Sequence, residues 1–290
     1  MKKIIFVPLF AAMFVVFLTQ CANNKTKAPI QKAAVTAGLI THKEAVDSLM
    51  ADSTAEHKAL IIKQLDANAA LAVLKNVSLD SLFINSYPDN GFYGEDRYRI
   101  EFMFTDAKRD ATDPSVYHLK GKNRHKKTIT NFEGTIKIMD LKSFRDPNID
   151  TAEWKQMGYK NLYAAKGVFE LKEDVLLKTS GLFKGTIQME FVEKLADKPD
   201  LWFYSVGMHA TDGRGTAGYR FDGTWTMYTK PDLVKPVIWA RDLFSFANDI
   251  LKDFSMGERD VEINEKYRNL GWVDFWENEE WWNDSAKPKM

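Results

Sequence analysis

Apolar and polar residues alternate with a period of two through most of the middle of the chain. The pattern is clearest over residues 98–104, where every second position is apolar. Such alternation is typical of strands that bury one face of a sheet. The intervening pieces are short and turn-rich, with no room for helical crossovers, so the sequence predicts an antiparallel sheet. Six further segments show the pattern: 116–120, 128–139, 161–171, 182–192, 201–210 and 216–228.

Three of these segments share a motif. The sequences FEGTIKI, FKGTIQM and FDGTWTM begin at Phe132, Phe183 and Phe221. In a strand, the phenylalanine and the glycine of each copy face one side and the charged residue between them faces the other. An inward glycine weakens a flat strand, so its recurrence indicates a bend or a close approach of backbones. The motif therefore predicts an antiparallel barrel or sandwich of seven or eight strands.

The third copy of the motif contains Gly223-Thr224-Trp225. This tripeptide resembles the Gly-x-Trp that carries part of the core in the small antiparallel barrels of calycin-like proteins. The resemblance covers residues 97–228 and implies a barrel. The whole chain also resembles the exported lipoproteins of unassigned function found in diderm bacteria. Neither resemblance implies a catalytic residue or a cofactor.

Helical patterns flank the β region on both sides. Two capping boxes, at 41–44 and 53–56, precede apolar residues three or four apart, which predicts a helical segment over 41–84. The β domain is then 85–230. Beyond it, five apolar residues are spaced four, three, four and four apart: Trp239, Leu243, Phe246, Ile250 and Phe254. This spacing predicts an amphipathic helix after Pro236, the first part of a helical, Trp-rich cap over 231–290. The predicted fold class is therefore α+β, mainly β.

The first residues have the character of an export signal. Lys2 and Lys3 precede an apolar run over residues 4–18. This run has the length of a signal-peptide core and is shorter than the roughly 20 residues of a membrane-spanning helix. We interpret residues 1–20 as a signal peptide, so the protein is predicted to be exported.

The apolar run ends at Leu18-Thr19-Gln20-Cys21, which resembles a bacterial lipobox, although Gln20 stands where Gly, Ala or Ser is usual. The resemblance implies that the Cys21 thiol is acylated and that residues 21–40 tether the protein to the cell envelope, at the outer membrane. The alternative is an ordinary signal peptide or an uncleaved anchor with an incidental cysteine.

Charge and cysteine content exclude some classes of partner and site. The 40 basic and 40 acidic residues give a formal net charge of zero, whereas a nucleic-acid partner would require a basic excess. Cys21 is the only cysteine, so an internal disulfide and a thiolate metal site are excluded. A chain with 45% hydrophobic residues can nevertheless bury a substantial core by packing alone.

Candidate chemistry is sparse, and no catalytic residue, metal or cofactor is predicted. His209 and Asp212 form either a His–carboxylate dyad or ordinary turn chemistry. The basic stretch 118–127 is either a contact for anions or lipid headgroups or the protected tip of a hairpin. A group of carboxylates either gathers around calcium or forms a solvated face: Asp249, Asp253, Glu258, Asp260 and Glu262.

Tryptophans are the candidate binding residues. Trp225 replaces a smaller apolar residue of the other motif copies, and the end of the chain holds four tryptophans at 272, 276, 281 and 282. We predict ligand binding by Trp225, Trp272 and Trp276; alternatively, the tail folds back as a plug. The leading function is non-catalytic binding of a small apolar or amphipathic ligand or of an envelope partner. The alternatives are a scaffold with a solid barrel core and an envelope hydrolase with unassigned carboxylates.

Overall fold

The computed structural model describes residues 60–147, 151–195, 198–201, 218–245, 247–253, 262–275, 277 and 279–283. These residues belong to the second of two compact units, His57–Met290. The predicted signal peptide, Cys21, the predicted tether and both predicted capping boxes lie outside the described residues. So do His209, Asp212, Trp276 and most of the strand predicted over 201–210.

Strands dominate the described part of the chain. They are Ile61–Gln64 (β1), Asp89–Tyr93 (β2), Tyr98–Arg109 (β3), Val116–His125 (β4), Thr128–Arg145 (β5), Tyr159–Glu173 (β6), Gly181–Lys194 (β7), Asp200–Leu201 (β8), Tyr219–Met227 (β9), Lys230–Ala240 (β10), Leu251–Asp253 (β11) and Glu262–Ile263 (β12). The α-helices are Ala67–Asn76 (α1), Asp80–Phe83 (α2) and Thr151–Gln156 (α3). Short 3₁₀ turns occur at Leu243–Ser245, Asn248–Ile250 and Glu265–Tyr267, and a kinked π-type turn at Arg268–Trp272.

Eight strands close into a ring in the order β5-β4-β3-β2-β10-β9-β7-β6, and β6 pairs again with β5. Every pairing is antiparallel, which confirms the predicted antiparallel, mainly β fold. The ring is not a regular barrel, since register shifts interrupt four of its pairings. β1 pairs with the far end of β5, and β8 pairs with β7.

The ring has two different ends. At one, which we call the hairpin end, short loops at 94–97, 126–127, 174–180 and 228–229 join β2 to β3, β4 to β5, β6 to β7 and β9 to β10. At the other, the helical end, α1 and α2 lie against the core. Phe83 of α2 is buried there and contacts the rings of Tyr117 and Tyr219 at 6.0 Å each.

The repeated motif marks places where neighbouring backbones touch. Phe132, Phe183 and Phe221 are buried, as the alternation predicted. Gly185 of β7 lies directly opposite Gly223 of β9. A Cβ on Gly185 would lie 2.5 Å from the Cα of Gly223, a distance that real Cβ atoms do not adopt. The predicted close approach of backbones is therefore confirmed, and glycine is the residue that permits it.

Aromatic side chains fill the ring. Trp239 of β10 stacks between Phe102 at 4.0 Å and Phe221 at 4.4 Å. The rings of Phe169 and Phe183 meet it edge-on at 5.1 and 6.3 Å. All five side chains are buried, so packed aromatic rings occupy this part of the interior.

The predicted amphipathic helix after Pro236 is wrong in its described part, because residues 237–240 belong to β10 and Leu243 and Ile250 lie in separate 3₁₀ turns. Phe246 and Phe254 lie outside the described residues. Val237 and Trp239 face the ring interior, while Ile238 packs against an outer cluster that contains Trp272. A strand that is covered on both faces loses its period of two and is easily mistaken for a helix. The β region thus extends to Ala240, and the described residues beyond it contain only short turns and two short strands.

The predicted helical segment over 41–84 is also wrong in part. Residues Ile61–Gln64 form β1, which pairs with the end of β5. Asp66 then starts α1, since its side chain accepts a hydrogen bond from the Ala69 amide at 2.9 Å. Arg109 closes the helix by donating to the carbonyl of Leu74 at 2.6 Å. The helix in this region therefore begins only after Asp66.

Candidate functional site

Trp225 lies inside the ring at the hairpin end. Only 5% of its surface is exposed. Its ring meets Tyr93 edge-on at 5.6 Å, and its Nε1 donates to Glu173 Oε2 at 2.9 Å. Trp225 is thus part of the packed interior and is anchored by a hydrogen bond.

Trp272 lies on the outside of the ring, in a cluster with Leu243, Tyr267 and Phe275. It is buried against Phe92 at 5.5 Å, and its Nε1 donates to the Arg97 carbonyl at 2.9 Å. Phe92 and Tyr93 are successive residues of β2, whose side chains point to opposite faces. The structure therefore places Trp272 and Trp225 on opposite faces of β2 and does not bring them together. Trp276 lies outside the described residues.

The last tryptophans cover a charged network on the outer face of β3 and β4. Glu101 accepts hydrogen bonds from Arg99 at 2.7 Å and Arg124 at 2.6 Å. Trp281 donates to the same carboxylate at 3.3 Å, and the Arg124 guanidinium lies 5.2 Å from its ring centre. Glu279 adds an ion pair to Arg124. The described part of the tail thus packs on the side wall of the ring.

A buried carboxylate, Glu173, lies beside Trp225. It accepts hydrogen bonds from Asn123 at 2.7 Å, from the Gly181 amide at 2.7 Å and from Trp225. Burial raises the pKa of Glu173, and the three donors oppose that shift. With three donors already bound, this carboxylate is suited to holding the hairpin end together.

A second buried carboxylate, Asp89, lies towards the helical end. The Tyr219 hydroxyl donates to it at 2.6 Å and Asn85 at 3.1 Å. Burial raises the pKa of Asp89 to about 7, and these donors together with Arg241 oppose the shift. Asp89 lies towards the helical end beside Tyr219, whereas Glu173 lies at the hairpin end beside Trp225, so the structure does not place these two carboxylates side by side.

A pocket outside the ring, which we call the outer pocket, lies between α3 and the adjoining ends of β5 and β6. It has a volume of about 550 Å³. Phe144 and Leu162 are buried at its base, and the rings of Trp154 and Tyr159 meet at 4.9 Å in its wall. The lining residues are Phe144, Arg145, Asp146, Pro147, Trp154, Lys155, Tyr159, Lys160, Asn161, Leu162 and Leu195.

The outer pocket combines an apolar base with a cationic rim. Arg145 and Lys155 contribute exposed side chains, and Lys160 forms an ion pair with Glu193 at 2.6 Å. The one acidic residue of the lining, Asp146, is buried, so the cations dominate the exposed rim. Such a site favours a ligand that has an apolar body and a negative group. One feature of the sequence indicates that the outer face of β6 is covered: residues 162–165 are apolar at four successive positions, as in a strand buried on both faces.

The described histidines and acidic residues do not form a metal site. Within the described ranges, no group of three or more His, Cys, Asp or Glu residues is placed to hold an ion. His118 pairs with Asp110 at 2.9 Å on the surface. Of the carboxylates considered for calcium, Asp249 is held by Arg97 at 3.1 Å and by the Tyr267 hydroxyl at 2.8 Å. Glu258 and Asp260 lie outside the described residues.

Comparison of the chain with family models, with curated proteins and with solved structures finds no match. No helix among the described residues is both long enough and apolar enough to cross a membrane. A function for this protein must therefore be argued from its own residues.

Proposed function

We propose that the protein is an exported lipoprotein that binds a small amphipathic ligand without catalysis. Acyl chains on Cys21 hold it at the outer membrane, and the eight-stranded antiparallel ring serves as a rigid frame. The ligand occupies the outer pocket. The observation that carries this proposal is the apolar, aromatic-walled cavity of about 550 Å³ with cations at its rim.

The size and lining of the outer pocket support this assignment over the ring interior. Small-molecule pockets typically enclose about 300–1,000 Å³ and are mostly apolar with a few polar groups. Inside the ring, Trp239 stacks on Phe102 and Phe221, so aromatic side chains already occupy the space that a ligand would need. The aromatic pair Trp154–Tyr159 offers a ring-binding wall outside.

Titration with anilinonaphthalene sulfonate tests the proposal, because this fluorescent probe joins an apolar ring system to a negative group. We expect saturable binding that Trp154→Ala weakens about tenfold, equivalent to about 1.4 kcal/mol. Tyr87→Ala is the control, since Tyr87 is 59% exposed and lies outside the pocket lining. Equal affinities of the Trp154 variant and the wild type would refute the site.

The rim can be tested separately. Arg145→Gln removes a cation but leaves the apolar base of the pocket in place. It should weaken the sulfonate probe and leave a neutral naphthalene probe of similar size unaffected. If both probes lose affinity equally, the contribution of Arg145 is packing and the ligand need not carry a negative group.

The filled interior favours a second candidate, a structural scaffold. A ring whose core is a stack of aromatic rings is a stiff body suited to holding an envelope partner at a distance from the membrane. Absence of saturable binding of either probe to the wild type would reject the ligand hypothesis and leave the scaffold.

Lipidation of Cys21 has its own test. Wild type should incorporate a labelled fatty acid and enter the detergent phase on phase separation, because the several acyl chains of a mature lipoprotein anchor firmly. Cys21→Ala should do neither. A wild type that stays in the aqueous phase without label would rule out the anchor.

A further inference from the structure

The loop at 174–180, between β6 and β7, carries an exposed apolar tip at the hairpin end. Val175, Leu176 and Leu177 are 72%, 87% and 43% exposed. Single exposed apolar residues are ordinary, but three in succession at a loop tip form a patch of the kind that marks an interaction site.

The conformation of this loop is held by its own hydrogen bonds. The Asp174 carboxylate accepts from the Leu176 amide at 2.9 Å, and the Asp174 carbonyl accepts from the Leu177 amide at 3.1 Å. The Leu177 carbonyl in turn accepts from the Ser180 amide at 3.1 Å. The neighbouring hairpin contributes Thr229, whose hydroxyl donates to the Lys178 carbonyl at 3.3 Å. The loop therefore presents its apolar side chains outward in a fixed arrangement.

Lysines surround the tip. Lys172 and Lys178 flank it in the sequence and are exposed. Lys120 of β4 lines a surface cleft of about 560 Å³ together with Lys172 and Val175. Acidic residues are present too: Lys172 pairs with Glu170 at 2.9 Å, and Glu133 and Asp174 line the cleft. Lys120 and Lys178 are therefore the cations best placed to meet an external anion.

We propose that the loop at 174–180 inserts its apolar tip into the interface of a lipid bilayer, with Lys120 and Lys178 at the level of the headgroup phosphates. An exposed tip of aliphatic side chains with Lys120 and Lys178 nearby matches the bilayer interface, where acyl chains lie just below phosphates. Long lysine side chains can reach headgroups while the neighbouring leucines lie deeper. The inference rests on the proposed function for access to a membrane, and it adds a second contact that orients the hairpin end towards the bilayer.

A fluorophore at the tip tests the insertion directly. Cys21→Ala gives a cysteine-free chain, in which Leu176→Cys provides one labelling position for an environment-sensitive nitrobenzoxadiazole dye. With vesicles of phosphatidylcholine and phosphatidylglycerol, we expect the emission to shift to shorter wavelength and to be quenched by brominated acyl chains. Tyr87→Cys, labelled in the same way, lies before β2 at the helical end and should keep its water-like emission.

The overturning result is a water-like signal at position 176 in the presence of vesicles, whether or not the protein sediments with them. Adding Lys120→Glu and Lys178→Glu should abolish the shift at position 176; an undiminished shift would overturn the role of the lysines. The label is read in chains without Cys21, so this result is independent of acylation. Failure of the fatty-acid assay would reject the anchor alone, and a water-like tip would reject the insertion alone.

Discussion

Gly185→Ala tests whether close contact between backbones dictates the glycines of the repeated motif. A Cβ on Gly185 would lie 2.5 Å from the Cα of Gly223 and closer still to the carbonyl oxygen of Asp222. Both neighbours are backbone atoms of β9, which is paired on both sides. Rotation of a side chain therefore cannot relieve the overlap, and the two strands must move apart.

The magnitude of the effect combines two opposing contributions. Adding atoms to a tightly packed site costs about 1–3 kcal/mol, and overlap with backbone atoms places Gly185 near the top of that range. Replacing glycine also restricts the unfolded chain, which stabilises the protein by about 0.4–1 kcal/mol. The expected net loss in the free energy of unfolding is about 2 kcal/mol. In a domain of this size, that loss lowers the melting temperature by roughly 4–8 °C.

Lys184→Ala is the matched control, because it introduces the same side chain one position away on the exposed face of β7. Its effect should stay within about 0.5 kcal/mol. Urea unfolding followed by tryptophan fluorescence gives the midpoint and the slope for each variant. Equal stabilities of the Gly185 and Lys184 variants at unchanged slope would refute the close-contact explanation.

Two further changes address the buried polar groups. Trp225→Ala should cost about 3–5 kcal/mol, as deletion of a large buried aromatic does, whereas Trp225→Phe keeps most of the ring and costs about 1–3 kcal/mol by leaving Glu173 without one donor. Urea unfolding distinguishes them, and a loss below 1 kcal/mol for the alanine variant would contradict the packed interior. Asp89 should make stability depend on pH. Its pKa of about 7 in the folded protein lies above the value of 3.8 for an exposed aspartate, so folded molecules retain a proton that unfolded chains release, and stability falls as pH rises between these values. From pH 5 to pH 8 the free energy of unfolding of the wild type should fall by roughly 3 kcal/mol relative to that of Asp89→Asn. If the difference in stability between the two proteins does not change with pH, the link between Asp89 protonation and stability is excluded.

The candidate site shows why local patterns found some features and missed others. Trp225 and Trp272 were both identified from the sequence as candidate binding residues. They contact successive residues of β2, Tyr93 and Phe92, whose side chains point to opposite faces of the sheet. The spacing of tryptophans in the sequence does not reveal which face of the sheet each of them packs against. The outer pocket was missed because Phe144 and Leu162 look like ordinary core residues of strands. Only the placement of α3 over the outer face of β5 and β6 turns them into the base of a cavity.

The sequence by itself determined the strands from β3 to β7, the faces they bury and the need for glycine in the repeated motif, because alternation and backbone freedom are local properties. The tertiary structure alone decided that β5 and β6 close the ring, that Trp239 belongs to a strand and that Asp66 starts a helix after a short strand. These outcomes depend on which distant segments cover each face and each edge. A strand covered on both faces, such as β10, has no alternation left to detect, so its identity is set by its neighbours β2 and β9.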